Sequence, residues 1–342
     1  MKILIIGNGS RGRRHLEISR QLYPNAEVRI LVHQKPNEDV NLSNGYLETM
    51  EQVDKFAPQI AIIANPATFH LETAQKLAEV GVHLLIEKPI SASTVGVIEL
   101  IKTCKENKVV LMTGYNLRFS ASLIHFHELI KKKTAGKILS VRCEVGQYLP
   151  DWRPAKDYRM TVSANNRLGG GVLLELSHEI DYLRWIFGDI NWVRATLSKQ
   201  SSLEIDVEDS AHLILGFELN ANGNQVIANL NLDFIRHDQK RSCTVIGDKG
   251  TLRWNGLTGT VDIFMQHSEK WEVLYSCKPD TDETLFAEWE NFLESINQEC
   301  YPLITGIDGL RVLEIIEAAR KSSATGSQVE VIKNPLYFEN TP

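Results

Sequence analysis

Glu87-Lys88-Pro89 closes a short aliphatic run, His83 to Ile86, and sets an ammonium group beside a carboxylate at the end of a predicted strand. The proline restricts Lys88 to extended backbone, followed by a trans or a cis bond, and so fixes the direction in which the side chain leaves. A lysine held this way can donate a hydrogen bond to a hydroxyl or carbonyl oxygen, or relay a proton. The plainer alternative is a surface pair with Glu87. A second set follows the triple glycine at 169–171, where Glu175, His178 and Asp181 recur at three-residue steps within Val172 to Trp185. That spacing reads as one helix with all three side chains on one arc. A carboxylate beside an imidazole orients it and raises its basicity, which suits a general base for a hydroxyl proton. The alternative is a histidine satisfied by a neighbouring carboxylate on a structural helix.

A third set is the loop Tyr148-Leu149-Pro150-Asp151-Trp152-Arg153-Pro154, continuing to Asp157-Tyr158-Arg159. Interleaved aromatic and guanidinium groups suit stacking on a sugar and gripping a carboxylate or phosphate; the competing reading is a run of solvated charges. Ala64-Asn65-Pro66 ends another aliphatic run, so Asn65 either meets a ligand or makes an ordinary turn.

The elements that must position these groups begin with Lys2 to Ile6, which runs into Gly7-Asn8-Gly9-Ser10-Arg11-Gly12. Gly7 permits a tight turn, Gly9 lets backbone approach a pyrophosphate, and Gly12 lets the next helix, about Arg11 to Leu22, pack on the strand. The free amides of that helix then face the phosphates of a dinucleotide. A second aliphatic run, Val28 to Val32, completes a βαβ unit, and Ile60–Ala64, His70–Gly81, His83–Ile86, Val95–Asn107 and Val109–Thr113 continue the alternation. The fold expected for residues 1–119 is therefore a Rossmann doubly wound parallel sheet.

After Arg118 the rhythm changes. A helix from Ser122 to about Lys133 precedes a strand from Ile138 to Tyr148. From Asn191 strand-like runs follow at 193–198, 212–218, 226–234, 242–246, 251–254, 261–265 and 271–275, separated by turns such as Asn222-Gly223 and Asp248-Lys249-Gly250. Consecutive strands are expected to pair antiparallel, giving residues 120–342 an α+β domain with a large, mainly antiparallel open sheet. Helices at about 284–298 and 309–325 close the chain, the latter packing back on the domain interface, with the substrate in a cleft between domains.

Composition supports this outline. Hydrophobic residues make up 43%, charged residues 23%, and the net charge is -6, which gives no long-range attraction for nucleic acid or an anionic membrane. The five cysteines are scattered and never in a CxxC pair, which predicts reduced thiols, no disulfide framework and no metal site. Met1 leads straight into the first strand, and no apolar run approaches the roughly 20 residues of a membrane helix, so a cytoplasmic protein is expected.

Taken together these residues resemble the Gfo/Idh/MocA family, the glucose-fructose oxidoreductase and inositol dehydrogenase relatives. The resemblance is carried by the opening glycine turn, Asn65-Pro66 with His70, Glu87-Lys88-Pro89, Gly114-Tyr115-Asn116-Leu117-Arg118-Phe119, the glycine-led segment with His178 and Asp181, and Asp308-Gly309-Leu310 with Ala318 and Ser322. It implies reversible oxidation of a ring hydroxyl in a sugar, cyclitol or sugar derivative by NAD or NADP, in a homodimer or homotetramer. It also implies catalytic roles for Lys88 and His178, with Asp181 beside them. The cofactor set then comprises Gly7, Asn8, Gly9, Ser10, Arg11, Gly12, His33, Asn65, Pro66, His70, Glu87, Lys88 and Asn116. The substrate set comprises Lys88, Asn116, Arg118, Trp152, Arg153, Tyr158, Arg159, Glu175 and His178.

Two features depart from the family pattern. Many relatives carry an aspartate four residues before the histidine, whereas Glu175 stands three before His178. The second strand ends Leu31-Val32-His33-Gln34-Lys35 without the acidic residue that grips a ribose 2'-hydroxyl, and His33, Lys35 and Arg11 suit a 2'-phosphate, which leaves NADP open. Arg153 and Arg159 suggest an anionic substrate such as a nucleotide sugar or sugar acid. Two other classes compete: an NAD-dependent glycoside hydrolase of the same family, and a non-catalytic NAD(P)-binding sensor.

Overall fold

The computed structural model describes residues 1–32, 42–219 and 225–333. His33 and Lys35, and the Asn222-Gly223 turn, lie outside the described residues. By compactness the chain divides into two units, 1–115 with 285–310, and 116–284 with the chain from Arg311 on. The division at residue 119 follows the change of rhythm along the sequence; in space, 285–310 groups with the first unit.

In the first unit the strands are β1 (Lys2–Ile6), β2 (Glu27–Leu31), β3 (Tyr46–Leu47), β4 (Ile60–Ile63), β5 (His83–Glu87) and β6 (Leu111–Gly114). They form one parallel sheet in the order β3-β2-β1-β4-β5-β6. That is the Rossmann order, in which the direction of winding reverses between β1 and β4 and opens a crevice at the carboxyl ends of the strands. Ile3, Leu4, Ile5, Ile62 and Leu85 are fully buried because both faces of a parallel sheet are covered. The helices here are α1 (Ser10–Leu22), α2 (Met50–Phe56), α3 (His70–Glu79) and α4 (Val97–Glu106). Helix α3 ends as its sequence dictates, with Gly81 in the left-handed region just after the last turn.

The second unit carries α5 (Ala121–Lys131), β7 (Ile138–Gly146), α6 (Val172–Glu175), α7 (His178–Phe187), β8 (Ile190–Ser198), β9 (Ser210–Leu219), β10 (Gln225–Asp233), β11 (Lys240–Gly247), β12 (Gly250–Asn255), β13 (Thr260–Met265) and β14 (Glu272–Ser276). Helices α8 (Thr281–Ile296) and α9 (Gly306–Thr325) and a short β15 (Val329–Glu330) follow. Among the described residues the sheet has nine strands, in the order β14-β13-β12-β11-β7-β10-β9-β8-β15. Consecutive strands from β8 to β10 and from β11 to β14 pair antiparallel, the pairing that short connections such as 248–249 and 256–259 impose on their strands. The exception lies between β10 and β11, where β7, from much earlier in the chain, inserts and runs parallel to β10.

The expected single helix from Val172 to Trp185 is instead two. Leu176 leaves helical backbone, and Ser177 Oγ donates 2.9 Å back to the Leu174 carbonyl, one of the acceptors a continuing helix would need. Glu175 therefore ends α6 while His178 and Asp181 share the first turn of α7. Among the described residues, no helix is long and apolar enough to cross a membrane.

Candidate functional site

The carboxyl ends of β1 and β4 meet at the glycine turn. Gly7 has φ +98°, and a Cβ there would lie 2.9 Å from the Ala64 carbonyl oxygen and the Asn65 amide nitrogen. A Cβ on Gly12 would lie 2.0 Å from the Gly7 carbonyl oxygen, so only glycine lets α1 start this close to the strand. Gly9 differs: its backbone is extended and, among the described residues beyond its chain neighbours, a Cβ would meet nothing within 4 Å. Open space there, with no side-chain cap and no acidic residue in the first turn of α1, leaves the helix amides available to a phosphate. Asn65 Oδ1 is buried with no hydrogen-bond partner among the described residues, an acceptor that a bound carboxamide or hydroxyl donor would satisfy. These features fit a dinucleotide. Asn65 and Pro66 border the turn, while His70 braces it from behind: its Nε2 lies 2.7 Å from the Asn65 carbonyl and its Nδ1 3.0 Å from that of Pro89. Burial lowers the His70 pKa, outweighing those two carbonyls and the Glu87 charge, which favours the neutral ring.

Glu87 ends β5, and Lys88 follows with a cis bond to Pro89. The Glu87 carboxylate is buried and fully engaged: Oε1 lies 2.9 Å from His15 Nε2 and 3.6 Å from Arg11 Nε, and Oε2 accepts from the Lys88 amide at 3.2 Å. Burial works to raise its pKa, but Arg11, His15 and Lys88 outweigh it and hold the carboxyl well below the usual range. Arg11 thus turns toward the β5 side of the switch point, away from the end of β2 where a ribose 2'-substituent would lie.

Sequence reasoning missed His15, Trp289 and Glu288. Trp289 Nε1 donates to His15 Nδ1 at 2.9 Å, across 274 residues of sequence. Glu288, adjacent on α8, is 0% exposed and neither carboxyl oxygen has a hydrogen-bond partner among the described residues. Burial first, then the Glu87 charge, push its pKa well above the ordinary carboxylate value, against Arg11. Of this pair Glu288 therefore favours its protonated form and Glu87 its ionised form, because Glu87 has the hydrogen-bonding partners that Glu288 lacks among the described residues. A histidine three residues past Gly12 was the one local signal.

In the second unit, His178 opens α7 and is 7% exposed. Asp181 does not stand free beside it: Arg118 grips both Asp181 oxygens, at 2.9 Å from Nε and 2.6 Å from Nη2, and both residues are buried. Asn116 Nδ2 donates to Thr284 Oγ1 at 2.7 Å. Glu175 accepts from Ser163 Oγ at 2.9 Å. Ser163 also lines a small cavity with Leu149, Trp152, Arg153, Tyr158 and Thr161, which brings three of the expected substrate residues together. Arg159 is not among them; Asp157 and Glu204 take up its guanidinium on the surface. The triple glycine is a packing device here, since a Cβ on Gly170 would lie 2.3 Å from the Val162 carbonyl oxygen and one on Gly171 2.5 Å from the Glu208 carboxylate.

The fold and these residues define a two-part oxidoreductase with a dinucleotide-binding first half. Residues 1–115 match the family model described as the oxidoreductase family NAD-binding Rossmann fold, and residues 127–331 match its C-terminal alpha/beta domain. The chain belongs to the Gfo/Idh/MocA oxidoreductase family. It is 26% identical to the myo-inositol 2-dehydrogenase of Thermotoga maritima over 335 residues, covering 94% of this chain and 96% of that protein. Among solved structures it resembles the WlbA dehydrogenase from Bordetella pertussis in complex with NADH and UDP-GlcNAcA (TM-score 0.80, 21% identity, 98% and 99% of the two chains). It likewise resembles levoglucosan dehydrogenase in complex with NADH and levoglucosan (TM-score 0.83, 20% identity, 98% and 100%).

The contrast between glycines gives a first prediction. Gly12→Ala should lower the melting temperature, since overpacking costs about 1–3 kcal/mol. Gly9→Ala should melt with the parent yet bind NADH at least about tenfold more weakly in a fluorescence titration, because its methyl enters the phosphate space. Glu288 gives a second. Its folded pKa is raised, so its stability contribution is intact below the unfolded carboxylate pKa and is lost as pH rises toward the folded value. Glu288→Gln should therefore melt above the parent at about pH 8 and converge with it near about pH 4; a difference that does not change with pH would refute this protonation assignment.

Proposed function

We propose that the protein transfers hydride between NAD and a ring hydroxyl or ketone of a sugar, cyclitol or sugar derivative bearing an anionic group. The observation that carries this reading is Lys88 at the carboxyl end of β5, on the sheet edge that also holds the glycine turn and the orphaned Asn65 acceptor. Bound NAD would supply the hydride acceptor, the one piece of chemistry that side chains lack. Lys88 would donate a hydrogen bond to the carbinol oxygen and stabilise the negative charge that grows there as its proton departs. His178 would take that proton, since an imidazole changes charge near neutral pH. Asn65 Oδ1 would accept from the cofactor. Engagement of Arg11 by Glu87 favours NAD over NADP.

The anionic preference rests on Arg153. Its guanidinium enters none of the ion pairs among the described residues, and it lines the small cavity beside Trp152 and Tyr158. A guanidinium can hold a carboxylate or phosphate bidentately while the indole offers an apolar face to a sugar ring. Arg118, with both Asp181 oxygens on its fork, holds α7 in place instead of reaching substrate. From the family resemblance we further propose a cytoplasmic homodimer or homotetramer.

The test is a panel of neutral sugars, cyclitols, sugar acids and nucleotide sugars, read at the reduced-nicotinamide absorbance band. We expect turnover on at least one anionic member. Lys88→Ala and His178→Ala should each lower kcat by about 10²–10⁴-fold, while Arg153→Ala should raise KM for the anionic sugar and leave neutral ones unchanged. Sugar release without NADH accumulation would replace this reading with glycoside cleavage. Ligand binding without turnover would replace it with a sensor.

A further inference from the structure

The buried chain from Trp289 through His15 to Glu87 is absent from the catalytic reading above, yet it ends on the residue whose backbone carries Lys88. Tryptophan's indole nitrogen is a donor only, so the 2.9 Å contact from Trp289 Nε1 makes His15 Nδ1 the acceptor. The ring proton must then reside on Nε2, which faces Glu87 Oε1 at 2.9 Å and donates to it. The second carboxylate oxygen, Oε2, accepts from the Lys88 amide at 3.2 Å. His15 and Trp289 are each 0% exposed and Glu87 6%, so water cannot substitute for a lost member without opening the core. Arg11 reaches the same oxygen as His15 only at 3.6 Å and from a partly exposed position, which makes it a charge partner and not the geometric anchor.

We propose that His15 is a positioning residue: locked in one tautomer by Trp289, it sets the plane of the Glu87 carboxylate and thereby the direction in which the backbone delivers Lys88. The three residues come from the first helix, the fifth strand and the eighth helix, so the orientation of Lys88 is tied to how the Trp289 stretch of α8 packs within the first unit. Without the His15 donor, Glu87 Oε1 keeps only the longer Arg11 contact and the carboxylate is free to rotate off the Lys88 amide. A donor-and-acceptor replacement is available, since a glutamine at 15 can offer an amide N–H to Glu87 and a carbonyl oxygen to Trp289.

This inference deepens the reading of Lys88, so its test begins on the backbone, where no substrate is needed. Amide hydrogen exchange is followed on the full-length protein in the segment 84–92, with 27–31 in β2 as control. His15→Leu should speed exchange of the Lys88 amide about tenfold, the loss expected for one buried charge-assisted hydrogen bond, without changing the control. Trp289→Phe should speed it less, and His15→Gln should restore parental exchange. Nitrogen-15 spectra of the parent should show a single Nε2–H tautomer for His15 and a mixture in Trp289→Phe. If His15→Leu does not fold, Trp289→Phe with its tautomer signal carries the test. Unchanged Lys88 exchange in both variants, or a glutamine as disruptive as leucine, would overturn the proposal. On the sugar identified by the panel, kcat should fall in His15→Leu with KM nearly constant and recover in His15→Gln. Faster exchange with intact turnover would leave the positioning role standing and remove the catalytic one from Lys88.

Discussion

A single buried negative charge organises the first unit. Taking a carboxylate out of water costs several kcal/mol unless partners replace the lost hydration, and one partner rarely suffices. Glu87 recruits them from the start of α1, from its own neighbour's amide and, through His15, from α8. Together they favour the ionised form of Glu87, and its charge adds to burial in raising the pKa of Glu288. The sheet edge that a dinucleotide would face is therefore electrostatically defined before any ligand arrives. Electrostatic groups fixed in advance act without reorganising when charge develops.

The second unit uses the same device with the opposite consequence for its carboxylate. Asp181 spends both oxygens on Arg118, whose guanidinium also lies 5.9 Å from the centre of the Trp185 ring. A bidentate fork inside the core pins the first turn of α7 from outside that helix. The neighbouring Glu179 is likewise buried and held by Arg241 Nε at 2.8 Å. His178 thus sits on a turn anchored on two sides. Asp181 contributes by fixing that turn, since neither of its oxygens is left over for a proton.

Local spacing made much of this legible. A strand, a glycine turn and a helix follow one another within 22 residues, and each responds to constraints of a few neighbouring positions, so β1, Gly7, Gly12 and α1 could be placed from the chain alone. The hairpins from β11 to β14 were equally local. What spacing could not reveal was pairing across long separations. Trp289 and His15 are 274 residues apart, Arg118 and Asp181 63, and β7 slots between β10 and β11 although residues 147–224 separate it from β10. The break at Leu176 was hidden for a different reason: an apolar pattern with helical period does not register a serine hydroxyl competing for a backbone carbonyl.

The two glycine clusters show how structure separates chemistry that sequence makes look alike. Both precede a helix, and both contain a residue with positive φ. At 169–171 the space that side chains would fill is already taken, by the Val162 carbonyl at Gly170 and by Glu208 at Gly171, and Glu208 itself receives the Leu173 amide at 3.2 Å. That carboxyl serves as an internal acceptor at the start of α6, so no external one is needed. Around Gly9, among the described residues, no atom beyond its chain neighbours comes within 4 Å of the corresponding position, and the first turn of α1 has no acidic side chain to quiet its amides. A helix start that is capped from within is finished structure. One left open beside an unsatisfied buried acceptor is structure that a ligand completes, and in this chain only the turn at 7–12 meets both conditions among the described residues.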